Sequence, residues 1–181
     1  MKFTLPALLL GVALAATAAP LKTDLAKSAV SAVFRQMNVP VESAFKKFSA
    51  AIDYDAAKPE LAKASVEIDT ASLDVGDPDM NKEVAKKDWF NSAQYPKATF
   101  VSSSIKPVAP GKLTVSGKLS IKGKSVDVSF PLTVRNEAGK QVFEGALPIK
   151  RLVFNIGEGE WKDTSMVADD VIIKFRVTAG K

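Results

Sequence analysis

The sequence predicts an all-β fold, an eight-stranded antiparallel β-barrel with one short helix at about residues 78–90. The first observation is that apolar and polar residues alternate in several short segments, which is typical of strands with one buried face. The second is the segment 113–134, where two such runs flank a short polar turn. The third is the even number of predicted strands, because closure into a barrel removes exposed sheet edges. A two-sheet sandwich would use the same strands and is the alternative.

The N-terminal segment is expected to be a targeting signal separate from this fold. Lys2 gives a positive start, an apolar run from Leu5 to Ala15 follows, and Ala16-Thr17-Ala18 matches a signal peptidase site. The apolar run is too short to span a bilayer as a helix. We expect residues 1–18 to be a signal peptide and residues 19–181 to form a single periplasmic domain. An uncleaved anchor is the alternative.

The composition argues against several classes of function. The chain has no cysteine and no histidine, so it lacks disulfides as well as the commonest general base and metal ligand. Its net charge is +5, with the lysines scattered along the chain. A scattered excess favours acidic groups such as phosphate headgroups more than nucleic acid. We therefore expect no metal, no cofactor, no nucleic-acid partner and no enzymatic activity.

The predicted elements follow one another at intervals typical of all-β proteins. The predicted strands are residues 28–34, 45–54, 62–69, 98–105, 113–121, 126–134, 141–149 and 169–178. Asp77 followed by Pro78 indicates a helix N-cap and first turn, with about three helical turns to follow. Residues 151–168, which include two glycines, are predicted to form a loop at one end of the barrel.

The hairpin at residues 113–134 is the strongest local signal. A four-residue turn at 122–125 would place Gly117 opposite Phe130 and all apolar side chains of both strands on one face. The Phe130 ring would then cover the glycine. Pro131 has no N–H for the sheet ladder, so we expect a bulge or a loss of pairing at this position.

Several ordered motifs resemble the YceI-like family of bacterial secreted proteins, also called polyisoprenoid-binding proteins. The most specific are DWFNSAQYPKATF at 88–100, KLTVSGKLSIKGKSVDVSFPLTV at 112–134 and FNIGEGEW at 154–161. The resemblance covers nearly the whole mature chain. It implies a lipocalin-like antiparallel barrel whose tubular apolar interior binds a long-chain isoprenoid or a similar lipid. Many relatives carry a histidine near the first strand, where this chain has Lys27-Ser28.

Thirteen apolar or aromatic residues are the candidate ligand-binding set. Ten are expected to face inward near the middle of their strands: Phe34, Phe48, Ile52, Ile68, Phe100, Val115, Leu119, Phe130, Leu132 and Phe175. Trp89, Phe90 and Tyr95 follow the predicted helix and would either attach it to the barrel or cap one mouth and contact the ligand. Composition alone favours a solidly packed core. The resemblance favours a cavity instead.

The leading functional prediction is a periplasmic protein that holds a polyisoprenoid or another long apolar ligand inside the barrel for storage or transport. The alternative is a secreted barrel with a filled core, acting as a stress-related protein-interaction module. The acidic residues Glu158, Glu160 and Asp163 match no calcium loop and do not indicate an enzyme. We expect a soluble monomer or homodimer that makes transient contact with membranes.

Overall fold

Eleven antiparallel strands form one curled sheet in the computed structural model, which describes residues 20–180. The strands are β1 (Lys22–Thr23), β2 (Ala29–Gln36), β3 (Val39–Phe45), β4 (Phe48–Asp53), β5 (Lys63–Asp69), β6 (Leu73–Asp74), β7 (Lys97–Ala109), β8 (Lys112–Ile121), β9 (Lys124–Glu137), β10 (Lys140–Lys150) and β11 (Val167–Gly180). The one α-helix of this range, α1, is Pro78–Val84. No helix within it is long and apolar enough to cross a bilayer. The predicted signal peptide lies outside the described residues.

The sheet curls until its edge strand β4 comes close to β11, and the N-terminal segment lies between them. The strand order of the sheet is β4-β5-β7-β8-β9-β10-β11-β2-β3-β6, and β1 pairs with β11. Leu21 also forms an antiparallel bridge with Ile52 of β4, and the Thr23 hydroxyl donates to the Ala50 carbonyl oxygen at 2.8 Å. The N-terminal segment therefore connects β11 to β4. The predicted all-β, antiparallel, barrel-like fold class is confirmed.

Three strands are missing from the sequence-based count of eight: β1, β3 and β6. β1 and β6 have only two residues each, too few for a periodic pattern. β3 follows β2 through Met37 and Asn38, which both have positive φ, at 49° and 65°. This is the geometry of a two-residue hairpin turn, although neither residue is glycine. The inward position of Ser43 further hides the alternation that would have indicated β3.

The β8–β9 hairpin forms with a register different from the predicted one. Gly117 pairs with Val128, and the turn contains only Lys122 and Gly123, with φ of 47° and 75°. The predicted four-residue turn is therefore wrong. The register differs by two positions, which leaves the same side chains on the buried face because strand side chains alternate with a period of two. The ring that covers Gly117 is that of Phe100 in β7.

The helix begins where predicted and ends earlier. The Asp77 carboxylate accepts hydrogen bonds from the backbone N–H groups of Asp79 and Met80, both at 2.9 Å, which is an N-cap. α1 stops at Val84 instead of residue 90 because the Phe90 N–H folds back to donate to the Val84 carbonyl oxygen. The predicted third helical turn is thus replaced by turns that direct the following aromatic residues toward the sheet.

Pro131 marks the position where two neighbouring strands separate. It pairs with Thr114 of β8 without a bulge. On the other side of β9, pairing with β10 ends at Leu132 and Gly145, immediately before the proline. The predicted loss of pairing is therefore confirmed on the β10 side alone. The last five residues of β10, 146–150, pair only with β11.

Candidate ligand-binding cavity

Two adjoining apolar cavities lie inside the curled sheet. The larger one, here called the main cavity, has a volume of about 280 Å³, and the inner cavity has about 110 Å³. Five residues line both and form a shared wall: Val66, Ile68, Phe100, Leu119 and Ile173. Gln36 and Met80 belong to the lining of the main cavity and are exposed, so this cavity opens beside the β2–β3 turn and α1. The interior is not filled solidly by side chains.

Eleven of the thirteen candidate residues line these cavities. Phe34, Trp89 and Phe90 lie in the main cavity, and Ile68, Phe100 and Leu119 lie in the shared wall. The inner cavity is lined by Ile52, Val115, Phe130, Leu132 and Phe175. The structure therefore brings these residues to one interior, and their contact with a ligand stays a prediction.

Phe48 and Tyr95 line neither cavity. Phe48 is the first residue of β4. Its position at the end of the strand places it in an open groove beside Lys46 and Lys47. The Tyr95 ring lies against the β8–β9 turn, where a Cβ added to Gly123 would be 3.0 Å from the ring. Tyr95 therefore packs against that turn and does not contribute to the cavity lining.

Three phenylalanine rings form one wall of the inner cavity. The ring centroids of Phe100 and Phe130 are 5.4 Å apart, and those of Phe130 and Phe175 are 5.5 Å apart, both in favourable inclined geometries. Two glycines leave space for the outer rings. A Cβ at Gly117 would lie 2.6 Å from Phe100, and one at Gly145 would lie 2.5 Å from Phe175. The glycine positions thus determine where these rings can lie.

One buried cation, Arg151, lies in the wall of the main cavity. The residue follows β10 and is only 2% exposed. All five of its N–H groups donate to backbone carbonyl oxygens, at 2.6–3.1 Å, namely those of Ile156, Gly157, Trp161, Val167 and Ala168. Burial lowers the pKa of Arg151, and the Asp169 carboxylate opposes this shift through space. The guanidinium therefore organises the 151–168 segment while its charge has no carboxylate in contact.

Two tryptophans lie beside this guanidinium. The Trp89 and Trp161 ring centroids are 5.3 Å apart, and Arg151 Cζ is 5.8 Å from the Trp89 ring centroid, within cation–π range. The Trp89 Nε1–H is buried and has no hydrogen-bond acceptor among residues 20–180. Arg151 was absent from the predicted set. Gly157 is the sequence feature that reflects its position, because any Cβ there would lie 2.2 Å from Arg151 Nη1.

The predicted loop at 151–168 contains two 3-10 helices, Arg151–Phe154 and Gly159–Lys162. Its Glu158 carboxylate accepts a hydrogen bond at 3.0 Å from Lys122, whose side chain is only 6% exposed. The Lys122 ammonium holds the pKa of Glu158 below its ordinary value. The same ammonium donates to the Asn155 carbonyl oxygen at 2.7 Å. Glu158 thus joins this segment to the β8–β9 turn.

The comparison with known proteins identifies the family. A family model described as the YceI-like domain matches residues 21–179. The chain belongs to the YceI-like family. The crystal structure of Burkholderia cenocepacia BcnA is similar to this YceI-like protein, with a TM-score of 0.85 and 56% identity, over 87% of this chain and 99% of BcnA. The resemblance predicted from the motifs is confirmed.

More distant relatives share the fold. A Campylobacter jejuni YceI protein has a TM-score of 0.72 and 27% identity, over 78% of this chain and 85% of its own. A domain from Saccharophagus degradans, described as polyisoprenoid binding and implicated in plant cell wall breakdown, has a TM-score of 0.69. It is 19% identical over 89% of this chain and 97% of its own, which shows the fold alone.

The curated relatives match over a shorter stretch. A UPF0312 protein of Pseudomonas savastanoi pv. phaseolicola is 33% identical to this YceI-like protein over 105 residues, 58% of this chain and 54% of the relative. A UPF0312 protein of Pseudomonas putida is 35% identical over the same shares of the two chains. This YceI-like protein therefore matches about half the length of these relatives.

Proposed function

We propose that this YceI-like protein binds a long-chain isoprenoid or another long apolar chain in the two adjoining cavities. The observation that carries the proposal is an apolar interior with space that the side chains do not fill. Burial of each methylene group contributes roughly 0.8 kcal/mol, so a long chain binds with few polar contacts. The polyisoprenoid-binding description of the S. degradans domain supports this class of ligand. Binding and release of such a chain require no catalytic group.

The test is a pair of matched substitutions on β7. Ala98 lines the main cavity, and Ala98→Phe would place a ring within it. Val101 is 55% exposed on the same strand, so Val101→Phe adds a ring outside the barrel. We expect Ala98→Phe to weaken binding of geranylgeraniol at least about 10-fold, the equivalent of losing two buried methylenes. Val101→Phe should bind as the parent does.

Binding is measured by titration calorimetry, after circular dichroism has verified that both variants are folded. A folded Ala98→Phe protein that binds like the parent would show that the main cavity is not the site. Native mass spectrometry of protein from a bacterial host should also show a bound lipid. A lipid-free mass together with no uptake of prenyl or acyl probes would favour the alternative, a module that acts through its outer surface.

The finer part of the proposal is that the protein stores or transports this ligand in the periplasm after cleavage of residues 1–18. An apolar chain needs to be shielded from water between two membranes, and an apolar cavity inside the curled sheet provides this. N-terminal sequencing of protein from the periplasmic fraction should begin at Ala19. Retention of the unprocessed chain in the membrane fraction would contradict this location.

An exposed apolar patch favours transient contact with a membrane as the entry route. Met37, Val39 and Met166 are 73%, 62% and 46% exposed, and the Met37 N–H donates to the Met166 carbonyl oxygen at 2.8 Å. The patch continues into the open end of the main cavity through the neighbouring Gln36. Met37→Glu should slow prenol transfer from phosphatidylglycerol vesicles, whereas Val108→Glu, at a site equally exposed on β7, should not. Equal transfer rates would exclude this route.

A further inference from the structure

We infer that the main cavity selects chains whose polar end is an oxyanion, held beside Trp89 and Arg151. This inference rests on the proposed function, because it specifies which end group accompanies the apolar chain. Carboxylate and phosphate ends share the necessary chemistry, which is a negatively charged oxygen that accepts a hydrogen bond. A chain that ends in a cation should be rejected.

The first step of the argument is charge. Arg151 is the only charged residue among those of the 20–180 range that line the main cavity. Its five N–H groups are all used by carbonyl oxygens, and no carboxylate within that range forms an ion pair with it. The positive charge is therefore solvated by carbonyl dipoles, and only the through-space attraction of Asp169 offsets it. In an apolar surrounding its potential is weakly screened, so it attracts a negative ligand end and repels a positive one.

The second step is an unused donor. Trp89 lines the main cavity, and its Nε1–H is shielded from solvent with no acceptor in the described part of the chain. A buried donor without an acceptor is unfavourable, so a ligand oxygen that accepts this hydrogen bond is selected over a carbon or an ammonium group. Arg151 Cζ is 5.8 Å from the Trp89 ring centroid. The indole ring that carries the donor and the Arg151 charge are thus neighbours among the residues that line the main cavity.

The two features are complementary. Because its N–H groups are already occupied, Arg151 supplies the attraction for a negative end but no free hydrogen bond. Trp89 supplies the hydrogen bond but no charge. The Trp161 ring packs against the Trp89 ring, at 5.3 Å between centroids, and holds it in position. An oxyanion is the end group that uses both, whereas an alcohol uses only the donor and a hydrocarbon uses neither.

The test compares probes that share one prenyl chain and differ in the end group: farnesoic acid, farnesyl phosphate, farnesol, farnesylamine and farnesene. We expect the acid and the phosphate to bind at least about 10-fold more tightly than the amine at pH 7. The preference should persist in 0.5 M NaCl, because a buried charge is poorly screened. Attraction by the overall positive charge of the protein would disappear in salt, which separates the two causes. Equal affinity of acid and amine in salt would overturn the inference.

Trp89→Phe removes the donor and keeps an aromatic ring. We expect it to weaken the binding of farnesoic acid and farnesol about 3- to 10-fold, the usual contribution of one hydrogen bond, and to leave the affinity for farnesene unchanged. Tyr95→Phe is the matched control, because it removes a polar hydrogen from an aromatic ring that lines neither cavity, and it should keep the preference for the acid. Retention of the full preference in a folded Trp89→Phe protein would show that the indole N–H is not the donor.

A spectroscopic readout tests the contact in the parent protein. The chain has two tryptophans, so a ¹⁵N-correlated spectrum of the parent shows two indole N–H resonances, and the one that is absent from Trp89→Phe belongs to Trp89. Farnesoic acid should move this resonance downfield, as hydrogen bonding does, and farnesene should not. An unchanged indole resonance with bound acid would refute the contact. If no probe binds at all, the proposed function fails as well; if all five bind equally, only the end-group inference fails.

Discussion

Gly117 is the position where one added methyl group should disturb both the sheet and the cavity wall. A Cβ at this residue would lie 2.4 Å from the Val101 carbonyl oxygen and 2.6 Å and 2.7 Å from two atoms of the Phe100 ring. Gly117 pairs with Ser102, next to a break in the β7–β8 register, which explains the close approach of the β7 backbone. A backbone oxygen cannot move aside as a flexible side chain can.

The size of the effect follows from two opposing contributions. Replacing glycine by alanine at a position without positive φ stabilises a protein by about 0.4–1 kcal/mol, because the unfolded chain loses freedom. Overpacking against fixed neighbours costs about 1–3 kcal/mol. The net result for Gly117→Ala is a loss of about 1–2 kcal/mol. In a domain of this length, that corresponds to a fall in Tm of about 2–8 °C. The Phe100 ring must also move, and it lines both cavities.

Differential scanning calorimetry measures the stability, and geranylgeraniol titration measures the cavity. Gly180→Ala is the matched control, because the nearest atoms to its added Cβ belong to the flexible Lys140 side chain. We expect the control to change Tm by less than about 2 °C. If Gly117→Ala were as stable as the parent and bound prenol equally well, the close contact between β7 and β8 would not constrain the Phe100 ring, and the reasoning would be refuted.

Three further changes test hydrogen bonds that stabilise the fold. Arg151→Met removes five donors from buried carbonyl oxygens, so chemical denaturation should show a loss of at least about 3 kcal/mol. Asp77→Ala removes the α1 N-cap and should cost about 1 kcal/mol by the same measurement. Hydrogen bonds from Arg135 and Arg176 lower the pKa of Glu144 below its ordinary value of 4.5. A lowered pKa stabilises the fold above the unfolded-state value, so Glu144→Gln should be less stable than the parent at pH 7, with the difference disappearing as the pH falls below 4.5.

Each of these expectations has a contrary result. An Arg151→Met protein as stable as the parent would mean that water or another donor satisfies the carbonyl oxygens. An unchanged unfolding free energy in Asp77→Ala would show that the helix terminus does not depend on its cap. A stability difference for Glu144→Gln that stays constant between pH 7 and pH 3 would assign that effect to packing instead of charge.

The local patterns predicted most of the sheet. The eight predicted strands correspond to eight of the observed ones because alternation with a period of two is a direct consequence of strand geometry. β3 was not predicted, because Met37 and Asn38 form a turn without glycine and Ser43 is buried on the inward face. In the β8–β9 hairpin, the predicted face was right and the turn was wrong. Registers two positions apart bury the same residues, so the apolar pattern cannot distinguish them.

The lining of the cavities was predicted only in part, because the apolar pattern carries information on strand positions and not on contacts between distant segments. Residues in the middle of long strands, such as Leu119 and Phe130, line the interior as their position in the alternation indicates. Phe48 and Tyr95 do not line it, because their surroundings depend on where β4 starts and on what contacts the β8–β9 turn. Arg151 had no signal of its own in the apolar pattern. Its role depends on carbonyl oxygens up to 17 residues away in the chain.

The sequence by itself determined that this protein would form an antiparallel sheet with one apolar face, and its motifs determined the family. Alternation is local, so it can be read from the order of the residues. Only the tertiary structure decided that the apolar face encloses two cavities, that Arg151 and Trp89 line the main one, and that the Trp89 N–H is buried without an acceptor in the described residues. Space and unpaired polar groups are properties of distant segments meeting. They arise where glycines, rings and loop carbonyl oxygens from separate strands approach one another.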